Sequence, residues 1–179
     1  MFNIFVEIIT LCKKIFPQEL VDNGYEDMDS QCFLQSFERS DFEYVKDKTN
    51  LKRVLLMDNI FSEIDKNPQL LKDIRTWAIE NKVDGFGVSK DRLVIKTKDN
   101  HIQEVNTKFI EDTHAMQKFV HVFTFRNEYM HLVWEYGQDP YTEYDFYLSM
   151  GIDGYFSEFP RTARQFFDWK KEIPSRLEL

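Results

Sequence analysis

Arg126 is a side chain in this sequence that could hold an anion. It follows Phe119–Phe125, a continuous apolar run of the kind found in buried parallel strands. A guanidinium presents parallel N–H donors that match two oxygens of a phosphate group. A structural ion pair with Glu128 or Asp139 is the competing interpretation. The sequence leaves both roles open.

The four histidines lack a catalytic pattern. His101 lies in a polar stretch, His114 and His131 fall in predicted helices, and His121 lies within an apolar run, where packing or hydrogen bonding is the expected role. The chain contains no phosphate-cradling glycine-rich loop, no G-x-S-x-G elbow and no H-E-x-x-H pair. The sequence therefore predicts no complete catalytic set.

Strand and helix patterns alternate along the chain. The predicted strands are Gln31–Phe37, Arg53–Met57, Val83–Val88, Phe119–Phe125 and Ile152–Phe156, with Phe2–Ile8 as a candidate sixth. The predicted helices are Leu11–Asn23, Asp41–Lys48, a helix from Asn67-Pro68 to about Asn81, Val105–Gln117, Thr142–Met150 and Arg161–Lys171. Continuous apolar strands that alternate with helices predict a parallel sheet covered by helices.

Three local patterns make narrower predictions. Ser40, with Glu43 three residues later, predicts a capping box at a helix start. The polar, lysine-rich stretch Ser89–Asn106 predicts a loop. A short motif occurs twice, as Val-Asp-Gly-Phe at 83–86 and as Ile-Asp-Gly-Tyr at 152–155. It predicts two strand entries where glycine permits a tight turn.

Three segments together resemble one enzyme family. Residues 121–126 read His-Val-Phe-Thr-Phe-Arg, residues 33–38 read Phe-Leu-Gln-Ser-Phe-Glu, and residues 153–160 read Asp-Gly-Tyr-Phe-Ser-Glu-Phe-Pro. These segments are similar to strands of the glycerophosphodiester phosphodiesterases, which are built on a (β/α)8 barrel. The likeness extends with gaps from about Val21 to Trp169.

The resemblance implies a phosphoric diester hydrolase of phospholipid metabolism. Such an enzyme releases glycerol 3-phosphate and an alcohol from glycerophosphodiesters. The chemistry of a (β/α)8 enzyme takes place at the carboxyl ends of its strands, where Gln35, Thr124, Arg126 and Glu158 are expected. The resemblance implies that Arg126, Phe123 and Thr124 bind substrate, with Phe123 walling the glycerol pocket.

The same resemblance implies a divalent cation, calcium or magnesium, and two acid–base histidines. The family's His-Arg-Gly motif does not occur in this sequence. Glu7, in Phe-Val-Glu-Ile, matches a metal-binding Glu-Ile-Lys strand, although Ile9 replaces the lysine. Glu63-Ile64-Asp65 spells the family's Glu-x-Asp, but we interpret that match as coincidence. A lone carboxylate would hold a hard cation weakly.

A barrel of this type needs eight strands and typically about 250 residues. The 179 residues therefore predict one partial domain, 1–179, that is short by two or three N-terminal units. Such a sheet has two open edges, which predicts self-association or docking onto a missing half. A catalytically silent short form that acts as a binding module, and an unrelated open α/β domain, are the alternatives.

Composition excludes some other classes. The net charge of −8, without a basic stripe, argues against nucleic-acid binding. No run is long enough to span a bilayer, and Met1–Ile15 lacks the basic start of a signal peptide. If Met1 is the true start, the expected location is cytoplasmic; a preceding N-terminal part would allow secretion. Cys12 and Cys32 lack metal-ligand spacing, and their apolar neighbours favour buried free thiols over a disulfide.

Overall fold

The computed structural model describes residues 7–10, 19, 20, 22–25, 27–29, 32–58, 60, 67 and 69–172, with the backbone alone at 7–10 and 172. Its centre is a six-stranded sheet. The strands are β1 (Glu7–Thr10), β2 (Cys32–Ser36), β3 (Lys52–Leu56), β4 (Gly85–Ser89), β7 (Phe119–Phe125) and β8 (Gly154–Ser157). They lie side by side in this order, and all neighbouring strands are parallel. The parallel α/β architecture expected from the sequence is confirmed.

The helices connect these strands. They are α1 (Arg39–Val45), α2 (Gln69–Glu80), α3 (Lys90–Leu93), α4 (Lys108–His114), α5 (Pro140–Ser149) and α6 (Pro160–Glu172), with 3-10 turns at Tyr129–His131 and Trp134–Tyr136. No described helix is long and apolar enough to cross a membrane. The predicted helix Leu11–Asn23 lies mostly outside the described residues, as do residues 2–6 of the candidate first strand.

The predicted capping box at Ser40 is wrong. Helix α1 begins one residue before Ser40, and its N-cap, Glu38, makes no side-chain cap hydrogen bond. The Ser36 hydroxyl organises this turn instead. It accepts the Glu38 N–H at 3.0 Å and donates to the Asp41 carboxylate at 2.6 Å.

The predicted loop over Ser89–Asn106 is also wrong. The segment contains α3 and an antiparallel hairpin of β5 (Val94–Lys96) and β6 (Ile102–Val105). Leu93 and Val94 are fully buried in the core formed with β7 and α5, which anchors one end of the hairpin. Ile102 also packs against this core. Burial of these apolar residues within a polar stretch offsets part of the conformational entropy that ordering the segment costs.

The outer face of the sheet packs under the helices. Leu34, Leu55, Phe86 and Val122 are buried on this face. Cys32 is fully buried here too, as predicted, whereas Cys12 lies outside the described residues.

The inner face of the sheet is curled. The rings of Phe33 on β2 and Phe119 on β7 lie 5.2 Å apart. In a flat sheet these two strands would be about 14 Å apart, because three spacings of about 4.8 Å separate them. A parallel sheet that curls towards one face, with its strands in chain order, is the geometry of part of a (β/α)8 barrel.

The two Asp-Gly motifs, at 84–85 and 153–154, lie at strand entries, as predicted. Gly85 and Gly154 are the first residues of β4 and β8, but neither has positive φ, so the predicted tight turn is wrong. A Cβ on Gly85 would lie 2.1 Å from the Phe119 ring, and one on Gly154 would lie 2.7 Å from the His121 ring. Glycine is needed for space on the crowded inner face.

The aspartates of these motifs join neighbouring strands. The N–H of Asp84 donates to the Arg53 carbonyl at 2.9 Å, and its carboxylate accepts the Arg53 N–H at 2.8 Å. Asp153 makes the same reciprocal pair with Val120, at 2.9 and 2.8 Å. Both motifs therefore set the register of two adjacent parallel strands.

Candidate active site at the carboxyl ends of the strands

The polar residues expected at strand ends do lie at one edge of the sheet. Gln35 is the penultimate residue of β2, Thr124 is the penultimate residue of β7, and Arg126 directly follows β7. Glu158 follows β8, and its N–H donates to the Phe125 carbonyl at 3.1 Å. Since all six strands are parallel, these carboxyl ends share one edge.

Arg126 holds a neighbouring carboxylate in a bidentate pair. Its Nε and Nη2 atoms donate to the two oxygens of Glu128 at 3.2 and 2.9 Å. This pairing lowers the pKa of Glu128 to about 2 and raises the pKa of Arg126. Both side chains are still more than a third exposed, so the pair lies within reach of solvent.

Asp139, the other candidate partner of Arg126, is used elsewhere. Its carboxylate caps α5 by accepting the Tyr141 N–H at 2.9 Å. The two oxygens of Glu128 occupy the Nε–Nη2 fork of Arg126 as phosphate oxygens would, so an anion bound to that fork would replace Glu128.

Two aromatic side chains from other parts of the sheet lie near Phe123. Its ring lies 6.1 Å from the ring of Phe37, just after β2, and 6.1 Å from the ring of Phe156 on β8. Phe37 is 40% exposed, so this aromatic wall is accessible. Sequence reasoning selected Phe123 but missed Phe37 and Phe156. The alternation of Phe33, Gln35 and Phe37 on one face of β2 is the signal that could have identified Phe37.

His121 is a packing residue. It is buried on the inner face with ring contacts of 4.9 Å to Phe33, 4.7 Å to Phe119 and 5.5 Å to Phe156. Burial lowers its pKa to about 4, against a smaller raising effect of Asp153. The imidazole is therefore neutral near neutral pH, consistent with the packing role expected from the sequence.

Two other histidines pair with carboxylates. His114 Nε2 lies 2.8 Å from Asp153 Oδ2, and His101 Nδ1 lies 3.0 Å from Glu135 Oε1. His114 ends α4, as expected, whereas the predicted helix at His131 is a single 3-10 turn.

The described residues do not by themselves form a metal centre. Within them, no group of three or more histidine, cysteine or acidic side chains could hold a metal ion. Glu7 is in β1, but its side chain, like Glu63 and Asp65, lies outside the described residues. Asp58, at the end of β3, uses Oδ1 to accept the Ser89 N–H at 3.1 Å. The cation implied by the resemblance is thus not matched by a described ligand set.

The curled parallel sheet, with polar and aromatic residues at its carboxyl ends, defines an α/β protein built as part of a (β/α)8 barrel. No protein-family model matches the chain. The glycerophosphodiester phosphodiesterase GDPD6 of Arabidopsis thaliana is 29% identical over 149 residues, which are 80% of this chain and 40% of that protein. The glycerophosphodiester phosphodiesterase GDPDL7 of the same plant is 35% identical over 74 residues, 38% of this chain and 10% of that protein.

These relatives confirm the resemblance found in the sequence: the chain is related to the glycerophosphodiester phosphodiesterases. It spans less than half the length of the curated relatives that it matches.

Proposed function

We propose that this chain contributes to a glycerophosphodiester phosphodiesterase, which hydrolyses a glycerophosphodiester to glycerol 3-phosphate and an alcohol. The observation that carries the proposal is the similarity to GDPD6 over 80% of the chain. The curled sheet with strands in chain order supports it, because that topology matches the barrel of the family.

Within this proposal, the described residues bind substrate. Arg126 exchanges Glu128 for the phosphodiester, Thr124 lies beside it at the end of β7, and Phe123 walls the glycerol pocket together with Phe37 and Phe156. The catalytic histidines and most metal ligands must come from elsewhere, because the His-Arg-Gly motif is absent from these 179 residues. A divalent cation supplied there would neutralise and polarise the phosphate.

The test begins with the intact mass of the protein from its native source. A mass above 21.6 kDa identifies a longer product, which is then assayed for release of glycerol 3-phosphate from glycerophosphocholine with calcium, magnesium or a chelator. We expect cation-dependent release by the longer product, and binding without turnover by the 179-residue chain. A longer product that contains His-Arg-Gly but releases no glycerol 3-phosphate from several glycerophosphodiesters would contradict the proposal.

A further inference from the structure

The segment after β7 displays three large apolar side chains to solvent. Tyr129, Met130 and Trp134 are 71%, 61% and 57% exposed. We call these three residues the rim platform. They follow the carboxyl end of β7, so they lie on the same side of the sheet as Arg126.

The opposite side of this segment is anchored in the core. Leu132, Val133 and Tyr136 are buried against β7 and α5. The segment therefore has enough apolar side chains to anchor itself without the three that face outward. Three large exposed apolar side chains within six residues of the chain make this segment a candidate interaction surface.

Several hydrogen bonds hold the platform against the β5–β6 hairpin. The Trp134 N–H donates to the Asn100 carbonyl at 3.1 Å, and its indole N–H donates to the Asp99 carbonyl at 3.1 Å. The Asn100 side chain donates to the Leu132 carbonyl at 2.6 Å. Lys90 Nζ donates to the His131 carbonyl at 3.1 Å. These bonds hold the segment in a conformation that keeps the apolar residues outside.

The residue types and charges select the kind of surface. Tyr and Trp combine an apolar ring with a polar tip and are enriched at the interface between membrane and water. Three carboxylates lie beside the platform in the chain, Glu128, Glu135 and Asp99. Arg126 pairs with Glu128, His101 pairs with Glu135, and Lys98 precedes Asp99, so the platform has no excess of positive charge, and the whole chain carries −8. Anionic membranes would therefore repel it, whereas the outward ammonium groups of a zwitterionic bilayer would meet these carboxylates favourably.

We propose that the rim platform docks this protein on a zwitterionic phospholipid surface, with Tyr129, Met130 and Trp134 inserted at the headgroup level. Docking would place the carboxyl ends of the strands, including Arg126, on the membrane-facing side. The inference goes beyond the proposed hydrolysis and does not depend on it, because its test measures binding alone.

The experiment measures partition of the 179-residue chain onto vesicles of phosphatidylcholine and of phosphatidylglycerol by co-sedimentation. We expect binding to phosphatidylcholine that exceeds binding to phosphatidylglycerol at low salt. Tyr129→Ser and Trp134→Ala should each lower the partition coefficient roughly tenfold, the size expected when the burial of an aromatic side chain is lost. Ile79→Ala is the matched control, because Ile79 is 66% exposed on α2, away from the platform, and should leave partition unchanged.

Three results would overturn the proposal. The first is no binding to phosphatidylcholine, and the second is stronger binding to phosphatidylglycerol than to phosphatidylcholine. The third is binding to phosphatidylcholine by Tyr129→Ser and by Met130→Ser that equals the binding of the wild-type chain. Concentration-dependent self-association that Tyr129→Ser abolishes would also overturn it and would assign the platform to a second copy of the chain. Tyr129→Ser should fold normally, because Tyr129 is mostly exposed and contributes little to the core. Circular dichroism verifies the fold of each variant.

Discussion

At the scale of single residues, the role of the ion pair between Arg126 and Glu128 is the main question. Glu128 either blocks the guanidinium permanently or is displaced from it by a substrate phosphate. Both side chains are more than a third exposed, so the ion pair is solvated and can exchange. A phosphate monoester or diester offers the same two-oxygen geometry with comparable or greater charge.

Arg126→Met should weaken binding of glycerol 3-phosphate to the chain by roughly tenfold or more, because a charged bidentate contact is lost. Glu128→Gln should strengthen binding a few-fold, since it removes the competing charge. Titration calorimetry measures both. Arg164→Met is the matched control, because Arg164 also pairs with a carboxylate, Asp168 at 2.7 Å, but within helix α6. Equal affinity in wild type and Arg126→Met would show that the pair is structural.

His121 should make stability depend on pH. Its pKa in the folded chain is about 4, and its unfolded pKa is about 6.5, so the unfolded chain binds more protons between these values. The contribution of neutral His121 is complete above about pH 6.5 and is lost as pH falls towards 4, by about 3 kcal/mol in all. Urea unfolding at several pH values measures it.

The matched control for this pH dependence is a variant without a change in titratable groups. His121→Gln should flatten the stability profile between pH 4 and 6.5, whatever its effect on absolute stability. Ile79→Ala, at an exposed position of α2, should keep the wild-type slope. An unchanged slope in His121→Gln would assign the acid sensitivity to other groups.

At the scale of elements, a buried ion pair joins α3 to α5. Lys90 Nζ donates to Glu143 Oε1 at 2.7 Å, and both side chains are at least nine-tenths buried. Burial raises the pKa of Glu143, and Lys90 opposes that shift. Tyr147 adds a hydrogen bond from its hydroxyl to the Lys90 carbonyl at 3.0 Å.

Breaking this pair from one side should destabilise the fold. Glu143→Leu and Lys90→Met should each lower the free energy of unfolding by about 3–5 kcal/mol, because each leaves one buried charge without its partner. The double variant should lose much less than the sum, since it leaves neither charge. Chemical unfolding of all four proteins measures the coupling, and additive losses would contradict it.

Strand β4 depends on its inner-face glycines. Gly85→Ala should lower stability by about 1–3 kcal/mol, because its Cβ overlaps the Phe119 ring, which Phe33 and His121 confine. Adding Phe119→Leu should recover part of that loss by removing the overlapped ring. If Gly85→Ala is as stable as wild type in thermal unfolding, the inner face is looser than the contacts indicate.

At the scale of the whole molecule, the open sheet is the dominant feature. β1 pairs only with β2 and β8 pairs only with β7 among the described strands, so both edges of the sheet are unpaired there. The inner face carries partly exposed aromatic rings, including Phe33 and Phe156. Unpaired strand edges recruit other chains.

We therefore expect the isolated 179-residue chain to self-associate or to bind a polypeptide that pairs with these edges. Sedimentation velocity over a hundredfold concentration range measures this. Phe156→Lys should reduce association by placing a charge on the inner face at the β8 edge, whereas Ile79→Lys, on an exposed helix position, should not. A monomer with one cooperative melting transition would falsify the prediction.

The sequence by itself determined much of the architecture and the similarity to one enzyme family. Continuous apolar runs predicted five of the six described strands of the central sheet, because parallel strands are buried on both faces and leave a strong local signal. The first strand was only a candidate at Phe2–Ile8, and the described strand is Glu7–Thr10. Phe119–Phe125 was predicted with the bounds that the structure has. Motif likeness identified the glycerophosphodiester phosphodiesterases, which the relatives bear out.

The tertiary structure decided what depends on residues far apart in the chain. The β5–β6 hairpin is ordered by burial of Leu93 and Val94 in a core that a window of sequence does not contain. The glycines of the Asp-Gly motifs are needed because rings on the adjacent strand fill the space beside them. Glu128 and Asp139 were equal candidates for Arg126 until the fold assigned Asp139 to a helix cap. The curvature of the sheet, the packing of side chains and the choice of ion-pair partners all depend on contacts between distant segments. Local sequence patterns therefore do not predict them.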